Sequence, residues 1–86
     1  MKSGDRIELL EDLAIDNTEL RWEKSVGSEP FLHSGQYIVE YATEGEVRLA
    51  DAEWDEKGRI TFHSTKHRHV VKGEKAIEFL EKSVRK

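Results

Sequence analysis

The tetrapeptide Asp55-Glu56-Lys57-Gly58 constrains the fold of this chain more than any other stretch, because it separates two alternating apolar–polar runs and ends on glycine. A glycine in that place supplies the left-handed residue that closes a hairpin loop built on a type I turn, with a bulge. The turn predicts a β-hairpin over 47–71, VRLADAEWDEKGRITFHSTKHRHVV, and also a register. Asp55 falls opposite Arg59, Trp54 opposite Ile60, Glu53 opposite Thr61, Ala52 opposite Phe62, and Asp51 opposite His63. One face then carries Ala52, Trp54, Ile60 and Phe62. The other carries Asp51, Glu53, Asp55, Arg59, Thr61 and His63, the alternation a half-buried antiparallel pair requires.

Upstream, QYIVEYAT over 36–43 is rich in aromatic and β-branched residues and predicts a strand. Read as a two-residue loop, Glu44-Gly45 places Val39 opposite Ala50 and Tyr37 opposite Ala52, so Tyr37, Val39 and Tyr41 join the Trp54/Phe62 face. Ile38, Val47 and Leu49 are left on the far side, to be covered by the N-terminal segment or a second subunit. A three-residue loop would reverse these faces. Leu20, Trp22 and Val26 predict one strand over 19–26, ended by Gly27-Ser28-Glu29-Pro30.

Near the N-terminus two periods compete. Asp5 with Glu8 resembles a capping box, and Ile7, Leu10, Leu13 and Ala14 share a helical face, which predicts a short helix within 3–16. Ile7, Leu9, Leu13 and Ile15 also alternate, which permits a strand. Beyond Gly73 the period is helical without competition: Ala76, Ile77, Leu80 and Val84 form a stripe with Phe79 at its edge, and Glu78–Lys82 and Glu81–Arg85 are favourable pairs one turn apart. This helix is expected on the Trp54/Phe62 face. The whole is an α+β fold: an antiparallel β-meander of three to four strands, with the C-terminal helix and a short N-terminal helix packed on the sheet.

Eighty-six residues make a single domain, 1–86, and with 36% apolar against 37% charged residues its core is small. There is no cysteine, which removes disulfides, thiolate metal sites and thiol nucleophiles. The absence of a signal-like apolar run or a membrane-length apolar stretch makes the cytoplasm the expected compartment. The net charge of −4 hides a split, since 15 acidic and 5 basic side chains lie in 1–56, but 3 acidic and 9 basic in 57–86. Such a split either neutralises itself across the fold or presents two faces of opposite field.

Three constellations follow from it. Glu44, Glu46, Asp51, Glu53, Asp55 and Glu56 include carboxylates at alternate strand positions, a donor set for a weakly held Ca²⁺ or Mg²⁺, although an EF-hand would need glycine where Glu56 stands and a bidentate glutamate where Phe62 stands. His63, His67 and His69 share parity, but Lys66, Arg68 and Lys72 beside them repel a cation, and His63 is expected to pair with Asp51. Lys57, Lys66, His67, Arg68, His69 and Lys72 make a basic segment that suits a phosphate backbone or an acidic partner. No nucleophile elbow, phosphate loop or zinc-protease motif is present. The expected function is therefore a non-enzymatic interaction module, a monomer or weak dimer, that offers an acidic hairpin face and a basic segment to a protein partner. Weak divalent-cation binding is the alternative, nucleic-acid binding the third reading, and no cofactor beyond such an ion is expected.

Overall fold

The computed structural model describes residues 1–21 and 24–84, with side chains described outside 19–26. The chain is a six-stranded antiparallel sheet curled into a half-barrel, followed by one C-terminal helix. In chain order the strands are β1 (Arg6–Leu9), β2 (Asn17–Arg21), β3 (Lys24–Glu29), β4 (Gly35–Ala42), β5 (Glu46–Trp54) and β6 (Ile60–Lys72), and the helix is α1 (Glu74–Ser83). Across the sheet they lie β1-β4-β5-β6-β2-β3. The β4–β5–β6 meander is thus the centre, with β1 on one flank and the β2–β3 hairpin on the other. The expected count of three to four strands is too low, and the expected single strand over 19–26 is divided between β2 and β3, which pair antiparallel with each other. Trp22 and Arg85 lie outside the described residues.

The N-terminal helix is corrected to a strand and a crossover. Asp5 accepts the Lys2 N–H within a tight turn instead of capping a helix. Strand β1 then pairs with β4, Ile7 opposite Tyr37. The chain next crosses to β2 and later returns from β3 to β4. The two crossings are tied to each other by reciprocal hydrogen bonds between Leu13 and Leu32, both 2.8 Å. Ile7, Leu9, Leu13 and Ile15, the residues of the competing alternation, are all buried, whereas Leu10 is exposed. A helix would have buried Leu10 and Ala14 together; the open flank of β4 offered β1 a full ladder of hydrogen bonds, and tertiary pairing overrode the helical signal.

Both expected turns form, yet the faces differ from expectation because of bulges. Glu44-Gly45 is a two-residue loop, with Ala42 opposite Val47 and Tyr41 opposite Arg48. Between Tyr41 and Val39 the register then slips by one at Glu40, leaving Val39 opposite Leu49 and Tyr37 opposite Asp51. One extra residue moves every later side chain to the other face. Tyr37 and Val39 therefore share the face of Val47, Leu49 and Val71, which is the core. Ile77 and Leu80 of α1 join that cluster with Ile7, Leu9, Leu13, Ile15 and Leu32, so the helix covers this face and not the Trp54/Phe62 face. Leu32, Leu49, Leu80, Val39, Val47 and Val71 are all below 2% exposed, and such full burial is worth about 1.5–3 kcal/mol each.

In the β5–β6 hairpin, Gly58 takes the left-handed conformation (φ 80°) and Trp54 pairs with Ile60, both as expected. A slip at Thr61 then pairs Glu53 with Phe62 and Ala52 with His63. Ile60 and Phe62 consequently sit on opposite faces of the ribbon, 44% and 49% exposed, and neither belongs to the core. A larger interruption follows, where 64–67 of β6 bow out opposite Asp51 before Arg68 pairs with Ala50. Ser64 closes this bow by accepting the N–H groups of His67 (3.0 Å) and Lys66 (3.4 Å) on its hydroxyl. The Arg6 guanidinium, donating to the Gly58 carbonyl and lying 5.8 Å from the Trp54 ring, ties the hairpin tip back to β1.

Candidate functional site: the base of the β5–β6 hairpin

The acids expected to form one row serve separate structures. Glu46 pairs with Arg48 at 2.7 Å and with its register partner Lys72 at 3.9 Å. The Asp55 carboxylate turns into the hairpin loop, accepting the Lys57 and Arg59 N–H groups at 2.9 Å each and the Arg59 side chain at 3.2 Å. Those donors, the Arg59 N–H foremost, hold its carboxyl below the usual aspartate range. Glu44 and Glu56 stand exposed in the two turns. Only Asp51 and Glu53 remain together, on one side of β5 at the hairpin base. Among the described residues no three histidine or carboxylate side chains come together in a group that could hold a metal ion.

Asp51 pairs with His69 and not with His63, a consequence of the displaced register. Its Oδ1 lies 2.9 Å from His69 Nε2, while His69 Nδ1 lies 3.0 Å from Asn17 Oδ1. Asn17 is 3% exposed and donates from Nδ2 to the Phe31 carbonyl at 2.5 Å, which orients the amide with its oxygen toward the imidazole. The Tyr37 ring meets His69 edge-on at 5.5 Å between centroids, and its hydroxyl donates to the His33 carbonyl at 2.6 Å. Burial first, and then the carboxylates of Asp51, Asp12 and Glu29, push the Tyr37 phenol strongly upward, so it stays a neutral donor. This network joins β2, β4, β5, β6 and the returning crossover. It is a polar strut inside the half-barrel, and both His69 nitrogens are occupied by it.

On the outer face, His63 meets Glu40 at 3.0 Å and Arg68 meets the same carboxylate at 2.5 Å. Arg68 lies opposite Ala50, and the small side chains of Ala50 and Ala52 leave the surface low enough for the long side chains to cross it. Partial burial pushes the Glu40 carboxyl upward, but the hydrogen bonds and charges of Arg68 and His63 outweigh it, and the net position is below the usual range. A carboxyl depressed on folding stabilises the fold fully above its unfolded pKa, and that contribution is lost as pH falls through the folded value. In urea unfolding from pH 6 to pH 3, the wild type is expected to lose its stability advantage over Glu40→Gln as pH drops below the ordinary glutamate pKa of about 4.3. A constant difference across that window would contradict the role assigned to Glu40.

Of the basic segment, Arg68, His69 and Lys72 are thus engaged by carboxylates, Lys66 and His67 belong to the bow closed by Ser64, and Lys57 is exposed in the hairpin turn. Sequence reasoning missed the polar roles of Asn17 and Tyr37. Asn17 had a readable signal: it continues the parity of Leu13 and Ile15, an inward polar position that demands partners.

Next to the strut a cleft of about 450 Å³ opens between the start of β4 and the hairpin, lined by Ser34, Gly35, Gln36, Tyr37, Asp51, Ala52, Glu53 and Phe62. Gln36 fixes its rim by accepting the Trp54 N–H at 3.0 Å. No protein-family model matches this chain, and neither does any curated protein or solved structure.

Proposed function

We propose that this protein is a small non-enzymatic interaction module whose contact surface is the β5–β6 hairpin and the cleft at its base. The observation that carries the reading is the state of the hairpin's large apolar side chains. Ile60 and Phe62 are half-exposed, Phe62 opposite the acid Glu53, while the core is complete without them. Large apolar groups held at a surface by a rigid ribbon, with charges around them, are the composition of a protein contact rather than of a packed interior. The pairing of Arg68, His69 and Lys72 with carboxylates favours a protein partner over nucleic acid, since it removes charge that phosphates would need. No described helix is long and apolar enough to cross a membrane, and a cytoplasmic site of action is part of the proposal.

The test compares the wild type with the double variant Ile60→Ser/Phe62→Ser as immobilised bait for extracts of the source cell. The double variant should melt no more than about 15 °C below the wild type, since each half-exposed truncation should cost under about 1 kcal/mol at about 4–8 °C per kcal/mol. The wild type should retain a partner that the variant releases. Identical captured proteins from both would contradict the proposal. Titration with Ca²⁺ or Mg²⁺, read by amide shifts at 51–56, and a polarisation assay with RNA and DNA at low salt decide the two alternatives.

A further inference from the structure

The cleft at the hairpin base has a chemistry more specific than a general contact surface. Among the described residues, its lining contains two carboxylates, Asp51 and Glu53, and no lysine or arginine. The Asp51 side chain is 43% exposed although its Oδ1 meets His69, so the carboxylate faces both the strut and the opening. Asp12 and Glu29 add negative field at the floor, where both act on the Tyr37 phenol together with Asp51. Among the described residues, the groups that meet Asp51, Asp12 and Glu29 as ion-pair partners are imidazoles. His69 lies on the inner side of Asp51, and His33 sits 3.8 Å from Asp12 and 3.5 Å from Glu29. On the wall, Phe62 is the register partner of Glu53, which puts a half-exposed aromatic ring beside a carboxylate on one face of the ribbon. Ser34 and Gln36 edge the opposite side with polar groups.

A flat cation satisfies this set better than a compact one. A guanidinium offers five donors in a plane, matches a carboxylate in bidentate fashion, and stacks on an aromatic face, whereas an ammonium is a strongly hydrated point charge. We propose that the cleft walled by Phe62 and Glu53 and floored by Asp51 and Tyr37 receives an arginine side chain from the protein partner. This rests on the interaction-module reading and names the partner's anchoring group. The cleft volume of about 450 Å³ accommodates the side chain and the backbone that carries it.

The experiment uses the full chain, labelled with ¹⁵N, and titrates N-acetyl-L-arginine amide against its neutral near-isostere N-acetyl-L-citrulline amide. The arginine derivative is expected to move the amides of Gly35, Gln36, Tyr37, Asp51, Glu53 and Phe62 along a saturable curve, half-complete at about 1–10 mM, the range of a single small ligand. Citrulline should bind at least ~10-fold more weakly, and raising salt should weaken arginine alone, because the difference is charge. Glu53→Gln, an exposed substitution that leaves the fold intact, should reduce arginine affinity several-fold. Shifts that never saturate, equal binding of citrulline, or indifference to Glu53→Gln would overturn the assignment. If arginine fails while Ile60→Ser/Phe62→Ser still abolishes capture, this inference falls and the interaction module stands. If arginine binds and capture ignores the hairpin variants, the hairpin contact surface falls and the assignment of the cleft to a partner's arginine falls with it.

Discussion

Replacing Leu49 by alanine is expected to destabilise the protein by about 2–5 kcal/mol, whereas the same truncation at Phe62 should cost under about 1 kcal/mol. Leu49 is fully buried in the middle of β5, opposite Val39 on one side and His69 on the other, and it belongs to the cluster that α1 covers. Its removal leaves a cavity between strands whose register is held on both sides, so little of the space can collapse. Stabilities of domains run to about 0.05–0.15 kcal/mol per residue, and such a loss takes a large fraction of the total. At about 4–8 °C per kcal/mol, the melting temperature should fall by roughly 8–40 °C. Phe62 is half-exposed and lies outside the cluster, so its ring contributes little to folding. Equilibrium unfolding in urea measures both. A Phe62→Ala variant as damaging as Leu49→Ala would put the Phe62 ring inside the core and contradict its place at the surface.

The second large effect is expected at Asn17. Its amide oxygen meets His69 and its amide nitrogen meets the Phe31 carbonyl, in a position 3% exposed. Asn17→Ala strands one imidazole nitrogen and one backbone carbonyl in the interior. Each stranded group costs about 1–3 kcal/mol, so a total of about 2–6 kcal/mol is expected. Part of that cost is shared with His69. In a double-mutant cycle, Asn17→Ala combined with His69→Ala should fall short of additivity by about 1 kcal/mol or more, as members of one network do. Additive losses would show that the two side chains merely neighbour one another.

What could be read from the residues was whatever is encoded locally. The 55–58 loop with its left-handed Gly58, the two-residue loop at Glu44-Gly45, the strand around 36–43 and the helix after Gly73 depend on propensity and turn chemistry within a few residues, and they form as expected. The faces were not legible, because Glu40, Thr61 and the 64–67 bow each insert residues that no local signal marks. A bulge exchanges inside and outside for everything beyond it. Hence Val47 and Leu49, expected on the far side, share the core with Tyr37 and Val39, Phe62 parted from Trp54, and Asp51 found His69 instead of His63. At the N-terminus both periods were present in the same residues, and the decision belonged to β4, whose open flank needed a partner. The acids at 44–56 were correctly seen as numerous, but their separate partners, Arg48, Lys72, His69 and the 57–59 backbone, could be assigned only with the register in hand.

The most direct measurement of this account is a ¹³C-edited NOESY spectrum on the full chain with methyl-labelled isoleucine, leucine and valine. The methyls of Ile77 and Leu80 should give cross-peaks within the cluster of Val39, Val47, Leu49 and Val71, and the Tyr37 ring should give cross-peaks to the His69 ring. The Phe62 ring should give none to the helix. Strong cross-peaks from Ile77 or Leu80 to the Trp54 and Phe62 rings would contradict it, because the hairpin side chains assigned to partner contact would then be the core.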